Sequence, residues 1–234
     1  MADSAAPRNA RAVARAELTR AILDSASTQL AQVGPAALSV RAVARDLGMA
    51  SSAVYRYFPS RDALLTALLI EAYDDLGESV EQADSRVRDR ADVAARWHAL
   101  CHAVRDWARA QPHRYALLYG SPVPGYAAPD DTVASATRVT TALLTLLSDA
   151  QAMGRTPVAT LPLSEEEREA VVPVRSFTDP VLDDAWVVRG LAAWATLFGN
   201  LSLELFGHMH RGILDYDAHF QQLVDQVAAD LGLA

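Results

Sequence analysis

Three residues of types that bind metal ions lie close together in the sequence. His98, Cys101 and His102 stand at positions i, i+3 and i+4, so the three side chains share one side of a helix. Imidazole and thiolate groups are ligands that a soft divalent metal ion prefers. The sequence offers no fourth ligand, and alanine-rich amphipathic helices contain such triplets by chance. We therefore predict no metal site and no cofactor.

Catalysis has little support elsewhere in the chain. The sequence shows no paired carboxylates placed by a motif, no nucleophile beside a base and no glycine-rich phosphate loop, so we expect no enzyme. Glu204 and His208 lie four residues apart on an apolar helix and could pair with each other or with Arg189 of a second subunit. Because a carboxylate is costly there unless it is paired, we expect a structural ion pair, with a ligand contact as the alternative.

The most informative stretch is SVRAVARDLGMASSAVYRYFPSRDALL, from Ser39 to Leu65. Two short helices meet at Gly48, where a helix-turn-helix needs a residue that tolerates a positive φ. The outward face of the second of these helices is small and hydroxylated at its tip, with aromatic and cationic side chains behind. Such a face can enter a major groove while Tyr55, Tyr57 and Arg61 reach phosphates.

The elements that position these residues are all helical, because alternation of period two is nearly absent. A first helix runs from about Ala12 to Val33, and Ser39 caps a second that stops at Gly48. A third covers about 51–58, and Ser60 caps a fourth that continues to about Gln82. We expect later helices to end at Ala110 and to cover 114–119, 131–153, a short stretch after the capping box at Ser164, 180–208 and 217–231.

Composition and charge set the class of protein and the kind of partner. The chain has 234 residues, of which 51% are hydrophobic, and a single cysteine, so we predict a soluble, cytoplasmic protein without disulfides or a membrane anchor. All 21 basic residues are arginine. Up to Arg61 there are eight arginines and four acids, whereas the rest of the chain has 13 arginines and 25 acids. A basic first quarter on an acidic body indicates an anionic partner at one end.

The stretch from Ser39 to Leu65 resembles the TetR (tetracycline-repressor) family of bacterial transcription regulators. The resemblance lies in the helix lengths, Gly48, the run VYRYF at 54–58 and the run PSRDALL at 59–65, and it extends over about the first 70 residues. Tyr57 is a departure, because many members carry histidine there; its hydroxyl can still contact a phosphate.

The resemblance implies a DNA-binding surface on the second and third helices. Its residues would be Ser39, Arg41, Ser51, Ser52, Ala53, Tyr55, Arg56 and Tyr57. Arg61 would hold the DNA backbone. We expect Arg41 and Arg56 to read bases, because arginine makes bidentate contacts with guanine. Arg8, Arg11 and Arg15 could belong to an arm that touches the adjacent minor groove, or they could be stray charges of a disordered terminus.

The last two helices are suited to a two-fold dimer. Apolar side chains surround most of the helix near 186–206, which is too much for a helix with a solvent side. A four-helix interface between protomers follows, as in the TetR family; the alternative is a fully buried central helix in a monomer. The predicted interface residues are Trp194, Phe198, Leu201, Leu205, Phe220, Leu223 and Val227.

The resemblance also implies a small-molecule effector held by the middle helices, whose binding moves the two DNA-binding heads. Aromatic residues in that region predict a largely apolar pocket, although aromatic residues at helical spacing are often plain core. The candidates are Trp97, Trp107, Tyr115, Tyr119 and Tyr126. The C-terminal part, including the stretches at 115–120 and 194–204, is similar to a domain of many actinobacterial members.

We therefore predict a flexible arm at 1–10, a helix-turn-helix domain at 11–60 and a helical effector-binding and dimerisation domain at 61–234. The expected function is a homodimeric repressor that a small molecule releases from a palindromic operator. The alternatives are an all-α enzyme or metal-binding protein with an incidental helix pair, and a nucleoid-type DNA binder without an effector.

Overall fold

A computed structural model describes residues 6–158, 162–175 and 182–234, and of residues 6–9 it describes the backbone alone. These ranges are helical and contain no β-strand, which confirms the all-α prediction. Within them no helix combines the length and the apolar character needed to cross a bilayer. The helices are α1 (Ala6–Val33), α2 (Val40–Asp46), α3 (Ser51–Tyr55), α4 (Arg61–Arg86), α5 (Val93–Ala110), α6 (Pro112–Tyr119), α7 (Val133–Ala136), α8 (Arg138–Ala152), α9 (Glu165–Ala170), α10 (Val172–Arg175), α11 (Asp184–Leu205) and α12 (Tyr216–Asp230).

Three of the helices begin where the sequence places a capping serine. The Ser39 hydroxyl accepts the amide of Ala42 at 3.4 Å, Ser60 accepts that of Ala63 at 3.0 Å, and Ser164 accepts that of Glu167 at 3.2 Å. Each contact satisfies one of the amides that a first helical turn leaves without a partner. These three predicted helix starts are confirmed.

Two of the later predicted helices have different bounds in the structure. The helix expected over 131–153 is interrupted at Thr137, whose amide still donates to the Val133 carbonyl at 3.0 Å and whose hydroxyl donates to the carbonyls of Val133 and Ala134. The apolar helix expected over 180–208 covers only Asp184–Leu205. Its expected start at residues 179–180 lies outside the described residues.

The chain divides into two compact units. The first unit contains the chain to Ala72 together with His113–Thr132, and the second contains Tyr73–Pro112 and Val133–Ala234. Hydrogen bonds within the first unit tie two later segments to the first half of α4, and the domain boundary expected at residue 60 stays a prediction. Tyr126 and Thr66 join their hydroxyls at 2.9 Å, and Arg114 donates to Glu71 at 2.9 Å. Residues 6–10, expected as a flexible arm, belong to α1.

Buried arginines cross-link the helices of the second unit. Arg96 of α5 is 1% exposed and donates to Asp84 of α4 and Asp149 of α8 at 2.8 and 2.7 Å. Burial alone would lower the pKa of Arg96, but the hydrogen bonds to the two carboxylates outweigh it and raise that pKa. Arg105 of α5 is 4% exposed and holds both oxygens of Glu204 of α11 at 2.9 and 3.1 Å.

We expect Arg105→Met to lower the free energy of unfolding by about 3–5 kcal/mol, because it leaves the Glu204 carboxylate buried without its partner. Arg109→Met is the matched control: Arg109 lies on the same helix and contacts Asp217, and both side chains are more than half exposed. An exposed pair contributes only about 0–1 kcal/mol. Urea denaturation measures both variants, and equal losses would contradict the assignment.

Candidate nucleic-acid interface

The helix-turn-helix is formed by α2, α3 and the turn between them. Gly48 has a φ of +64° in this turn, as predicted, and the amide of the next residue, Met49, donates to the Ala44 carbonyl at 2.8 Å. Val43, Val54 and Phe58 are buried at 0%, 0% and 8% exposure. A side chain at Gly48 would strain this turn, whereas burial of the three apolar side chains fixes how α2 and α3 pack.

Two polar residues of α1 hold the two ends of α2. The Gln29 side-chain carbonyl accepts the backbone amide of Ser39 at 2.6 Å, and the Ser25 hydroxyl donates to Asp46 at 2.7 Å. Ser25 is 8% exposed. The sequence prediction missed this pair, although Ser25 and Gln29 are four residues apart on the face of α1 that also carries Ile22 and Ala26. A polar i, i+4 pair inside an apolar stripe was the available signal.

Most of the predicted DNA-contact residues have solvent-accessible side chains. Arg41, Ser52, Tyr55 and Arg56 are exposed, with Tyr55 at 42%. Four others are half-buried: Ser39, Ser51, Ala53 and Tyr57. The arrangement leaves two guanidinium groups, a hydroxyl and a phenol on the surface of a helix pair, where hydrogen-bonding groups of a duplex can reach them.

Arg61, which the sequence predicts to hold the DNA backbone, makes hydrogen bonds within the chain. Its guanidinium donates to the carbonyls of Leu38, Pro35 and Ala36 at 3.1, 2.9 and 3.0 Å, and its remaining nitrogen lies 3.5 Å from the Asp62 carboxylate. These carbonyls belong to the connection between α1 and α2. Arg61 therefore ties the start of α4 to that connection within the chain, whereas the sequence prediction gave it to the DNA backbone.

The aromatic residues predicted to line a pocket serve the two units as packing and anchoring groups. Trp97 is 1% exposed and its indole N–H donates to the Val224 carbonyl at 2.9 Å, while Trp107 is 7% exposed and donates to Asp75 at 3.0 Å. Tyr115 is fully buried, with its ring centroid 5.1 Å from that of Tyr119. Trp97 and Trp107 belong to the second unit, whereas Tyr115, Tyr119 and Tyr126 belong to the first.

A cavity of about 420 Å³ opens elsewhere, within the second unit. None of the five predicted aromatic residues lines it. Its walls are Glu81 and Asp84 of α4 with Ala134, Arg138, Thr141, Ala142 and Thr145 of α7 and α8. Arg138 reaches Glu81 with two nitrogens, at 2.6 and 2.9 Å, and Asp74 at 3.2 Å. The cavity therefore combines methyl groups, two hydroxyls and carboxylates that are already paired, and residue types alone did not reveal it.

Three of the residues predicted at the dimer interface are buried within one chain. Phe198, Leu201 and Phe220 are 4%, 0% and 0% exposed within one chain, so they are core residues of the protomer. The other four, Trp194, Leu205, Leu223 and Val227, are half-buried. The exposed face of α11 instead carries Ala192, Ala195, Gly199, Leu203 and Phe206, with Leu203 at 45% and Phe206 at 43%.

The structure shows the surroundings of the His98, Cys101 and His102 triplet and the partner of Glu204. Cys101 is fully buried, and burial raises the pKa of its thiol well above the ordinary value, whereas His98 and His102 contact Gln221 of α12. In the described ranges no group of three or more His, Cys, Asp or Glu side chains is placed to hold a metal ion. Glu204 pairs with Arg105 of its own chain, not with the partners considered from the sequence.

Comparison with protein families gives two matches that together cover most of the chain. Residues 22–68 match the family described as "Bacterial regulatory proteins, tetR family", and residues 97–227 match "Tetracyclin repressor-like, C-terminal domain". The first match contains α2, α3 and their turn.

Individual relatives are similar over nearly their whole length. The HTH-type transcriptional regulators Rv1816 of Mycobacterium tuberculosis and Mb1846 of Mycobacterium bovis are each 41% identical over 229 residues, which is 92% of this chain and 94% of theirs. Among solved structures, the regulatory protein SCO4313 is 32% identical with a TM-score of 0.74, covering 91% of this chain and 96% of its own. A protein of unknown function from Rhodococcus sp. RHA1 is 27% identical with a TM-score of 0.69, at 92% and 95% coverage.

We expect Arg61→Ala to lower the free energy of unfolding by about 1–3 kcal/mol, because it removes charge-assisted hydrogen bonds to three carbonyls. The slope of log affinity for a duplex against log salt should stay unchanged, since the variant keeps every contact with phosphate. Arg56→Ala, on the exposed surface, serves as the control and should leave stability within about 0.5 kcal/mol. A slope shallower by about one at unchanged stability would restore the phosphate role of Arg61.

Proposed function

The chain belongs to the TetR family and is a DNA-binding transcriptional regulator, and from this premise we propose that it acts as a homodimeric repressor which a small molecule releases from a palindromic operator. The observation that carries the proposal is the outward surface of the helix-turn-helix, where Arg41, Ser52, Tyr55 and Arg56 are exposed on α2, α3 and the residue after α3. Hydroxyl and guanidinium groups there match the donors and acceptors of base edges and phosphates in a major groove.

A single helix-turn-helix makes few base contacts, and a two-fold dimer provides a second one about 34–36 Å away along the duplex. The exposed face of α11 supports such a dimer. Gly199 stands inside this helix, where glycine costs roughly 1 kcal/mol relative to alanine. A Cβ atom at Gly199 would meet nothing within 4 Å in the chain, so the fold of one protomer gives no reason for the glycine. Close approach by α11 of a second copy of the chain would explain why position 199 is a glycine.

The residues around Gly199 fit the same arrangement. Ala192 and Ala195 are small and exposed, and Leu203 and Phe206 add apolar area toward the end of the helix. Small side chains let two helix axes come within about 8 Å, and apolar area supplies the driving force. We therefore assign the dimer interface to this face of α11, with the half-buried Leu223 and Val227 of α12 beside it.

The cavity of the second unit supports a small-molecule effector. Its volume of about 420 Å³ lies in the range of ligand sites, about 300–1,000 Å³. Thr141 and Thr145 are exposed hydroxyl groups on its wall, and Ala134 and Ala142 provide methyl surface. An effector of mixed character, with an apolar body and one or two groups that hydrogen-bond to hydroxyls, fits this lining.

Selection of bound duplexes from a random pool tests the function directly. We expect enrichment of a palindrome, and a library of small molecules screened against the enriched duplex should contain compounds that release it. Arg41→Ala or Arg56→Ala should weaken binding to that duplex by about 1–3 kcal/mol each, because each removes a bidentate contact with a base. Gel shifts or fluorescence anisotropy measure the loss.

The control for these variants is Arg20→Ala, which removes the same charge from the same unit. Arg20 is exposed on α1 and lies 3.2 Å from the Asp24 carboxylate, so its loss should leave operator affinity almost unchanged. An unaltered affinity in both Arg41→Ala and Arg56→Ala would show that this surface does not read DNA. Failure to enrich any duplex would refute the function as a whole.

We expect Gly199→Leu to shift the protein from dimer to monomer in sedimentation experiments, because a branched side chain prevents close approach of the two α11 helices. Thr145→Leu is the control, since it places the same side chain at an exposed position of α8. Circular dichroism should show both variants folded, because the structure leaves open space at residue 199. A stable dimer of the Gly199→Leu variant would place the interface elsewhere.

A further inference from the structure

We infer that the N-terminal turns of α1 form a second DNA-contact surface, on which Arg11 and Arg15 follow the phosphates beside the groove that α3 enters. The inference rests on the proposed function and extends it from the helix-turn-helix to a segment that this motif does not include. Its occupant is the sugar–phosphate backbone of the same duplex.

The first observation is that α1 extends well beyond what the core requires. The core of the first unit begins at Ile22, which is fully buried, whereas every residue from Ala10 to Glu17 is exposed. Val13 is 51% exposed. At about 1.5 Å per residue, the backbone from Ala6 to Arg15 adds roughly 14 Å of helix. Burial within the chain does not explain these turns.

The second observation is the register of the arginines. Positions 11 and 15 are four residues apart, a spacing that places both side chains on one helix face. The same face continues through Leu18 to Ile22 and Ala26, which are half-buried, buried and buried. The face of α1 that is buried at Ile22 and Ala26 therefore carries arginines nearer the N-terminus of the helix.

The third observation joins these arginines to the proposed recognition surface. The guanidinium carbon of Arg15 lies 5.3 Å from the centroid of the Tyr57 ring, in a cation–π contact. Tyr57 follows α3 by two residues, so these arginines lie on the side of α1 that faces α3. An exposed cationic helix face next to a DNA-reading surface is complementary in charge to the phosphates that flank the groove.

The test measures the salt dependence of binding for Arg11→Gln, Arg15→Gln and the double variant on the selected duplex. The slope of log affinity against log salt should become shallower by about 0.9 for each phosphate that a variant no longer neutralises. Between 50 and 200 mM salt this corresponds to roughly a threefold change per phosphate. Because phosphates carry no sequence information, the same change should occur on an unrelated duplex.

The matched control is Val13→Glu, which also makes the net charge more negative by one but lies on the opposite face of α1. We expect its salt slope to equal that of the unaltered protein. Hydroxyl-radical footprints give an independent readout: the double variant should lose protection of the sugar–phosphate backbone at each outer edge of the site.

The outcomes separate this inference from the proposed function. If the unaltered protein enriches a duplex and the arginine variants keep its slope and footprint, the inference is overturned while the function stands. An equal effect of Val13→Glu would show a general charge effect and overturn it as well. A loss of affinity confined to the operator would mean that the arginines read bases. A loss of binding to anionic lipid vesicles without any change in DNA binding would mean that the arginines contact a membrane. Either result would contradict the assignment of the arginines to phosphates. If no duplex is enriched, both proposals fail.

Discussion

The recognition helix α3 has five residues, and a helix of that length is not stable in water by itself, because its nucleation costs more than its few hydrogen bonds return. Its orientation therefore depends on contacts from outside it. Val54 is fully buried against its neighbours, and α2, on which α3 packs, is held at one end by Gln29 and at the other by Ser25 of α1. Arg61 adds three hydrogen bonds from the start of α4. The orientation of the helix-turn-helix therefore depends on polar contacts with α1 and α4 as well as on its apolar packing.

In the second unit, arginine side chains link the helices through ion pairs with carboxylates. The chain contains no lysine, so every fixed cation that links its helices is a guanidinium. Arg96, Arg105 and Arg138 each contact two carboxylates. The guanidinium of Arg105 also lies 4.7 Å from the centroid of the Phe220 ring. The planar fork of arginine satisfies two acceptors at once, which a lysine ammonium does with less geometric control. Such buried pairs define which helices meet more than they add net stability.

The two faces of α11 differ in the size and burial of their apolar side chains. On α11 the large side chains Leu197, Phe198 and Leu201 are buried within the chain, whereas small residues and the last apolar ones remain exposed. Alanine and glycine on the exposed face of a helix have small or no side chains, so a second helix can approach this face closely. The same helix supplies Glu204 to the buried pair with Arg105, so its inner face is fixed while its outer face stays available.

Local signals in the sequence determined the helices and the helix-turn-helix. The capping serines, the positive φ at Gly48 and the apolar spacing depend on residues within a few positions of one another, so residue types and their spacing are enough to predict them. The resemblance of residues 39–65 identified the helix-turn-helix for the same reason. The break at Thr137 was missed because no glycine or proline marks it in the sequence from 131 to 153.

Tertiary structure alone decided which partner each polar or aromatic side chain takes. Glu204 meets Arg105 across 99 residues, Trp97 meets Val224 across 127, and Arg61 meets the carbonyls near residue 36 across about two dozen. It also separated Phe198, Leu201 and Phe220, which are core, from the face of α11 that is exposed. Residue types restrict such choices but do not make them, because a hydrogen bond or a buried contact depends on distances in space that helical periodicity does not encode.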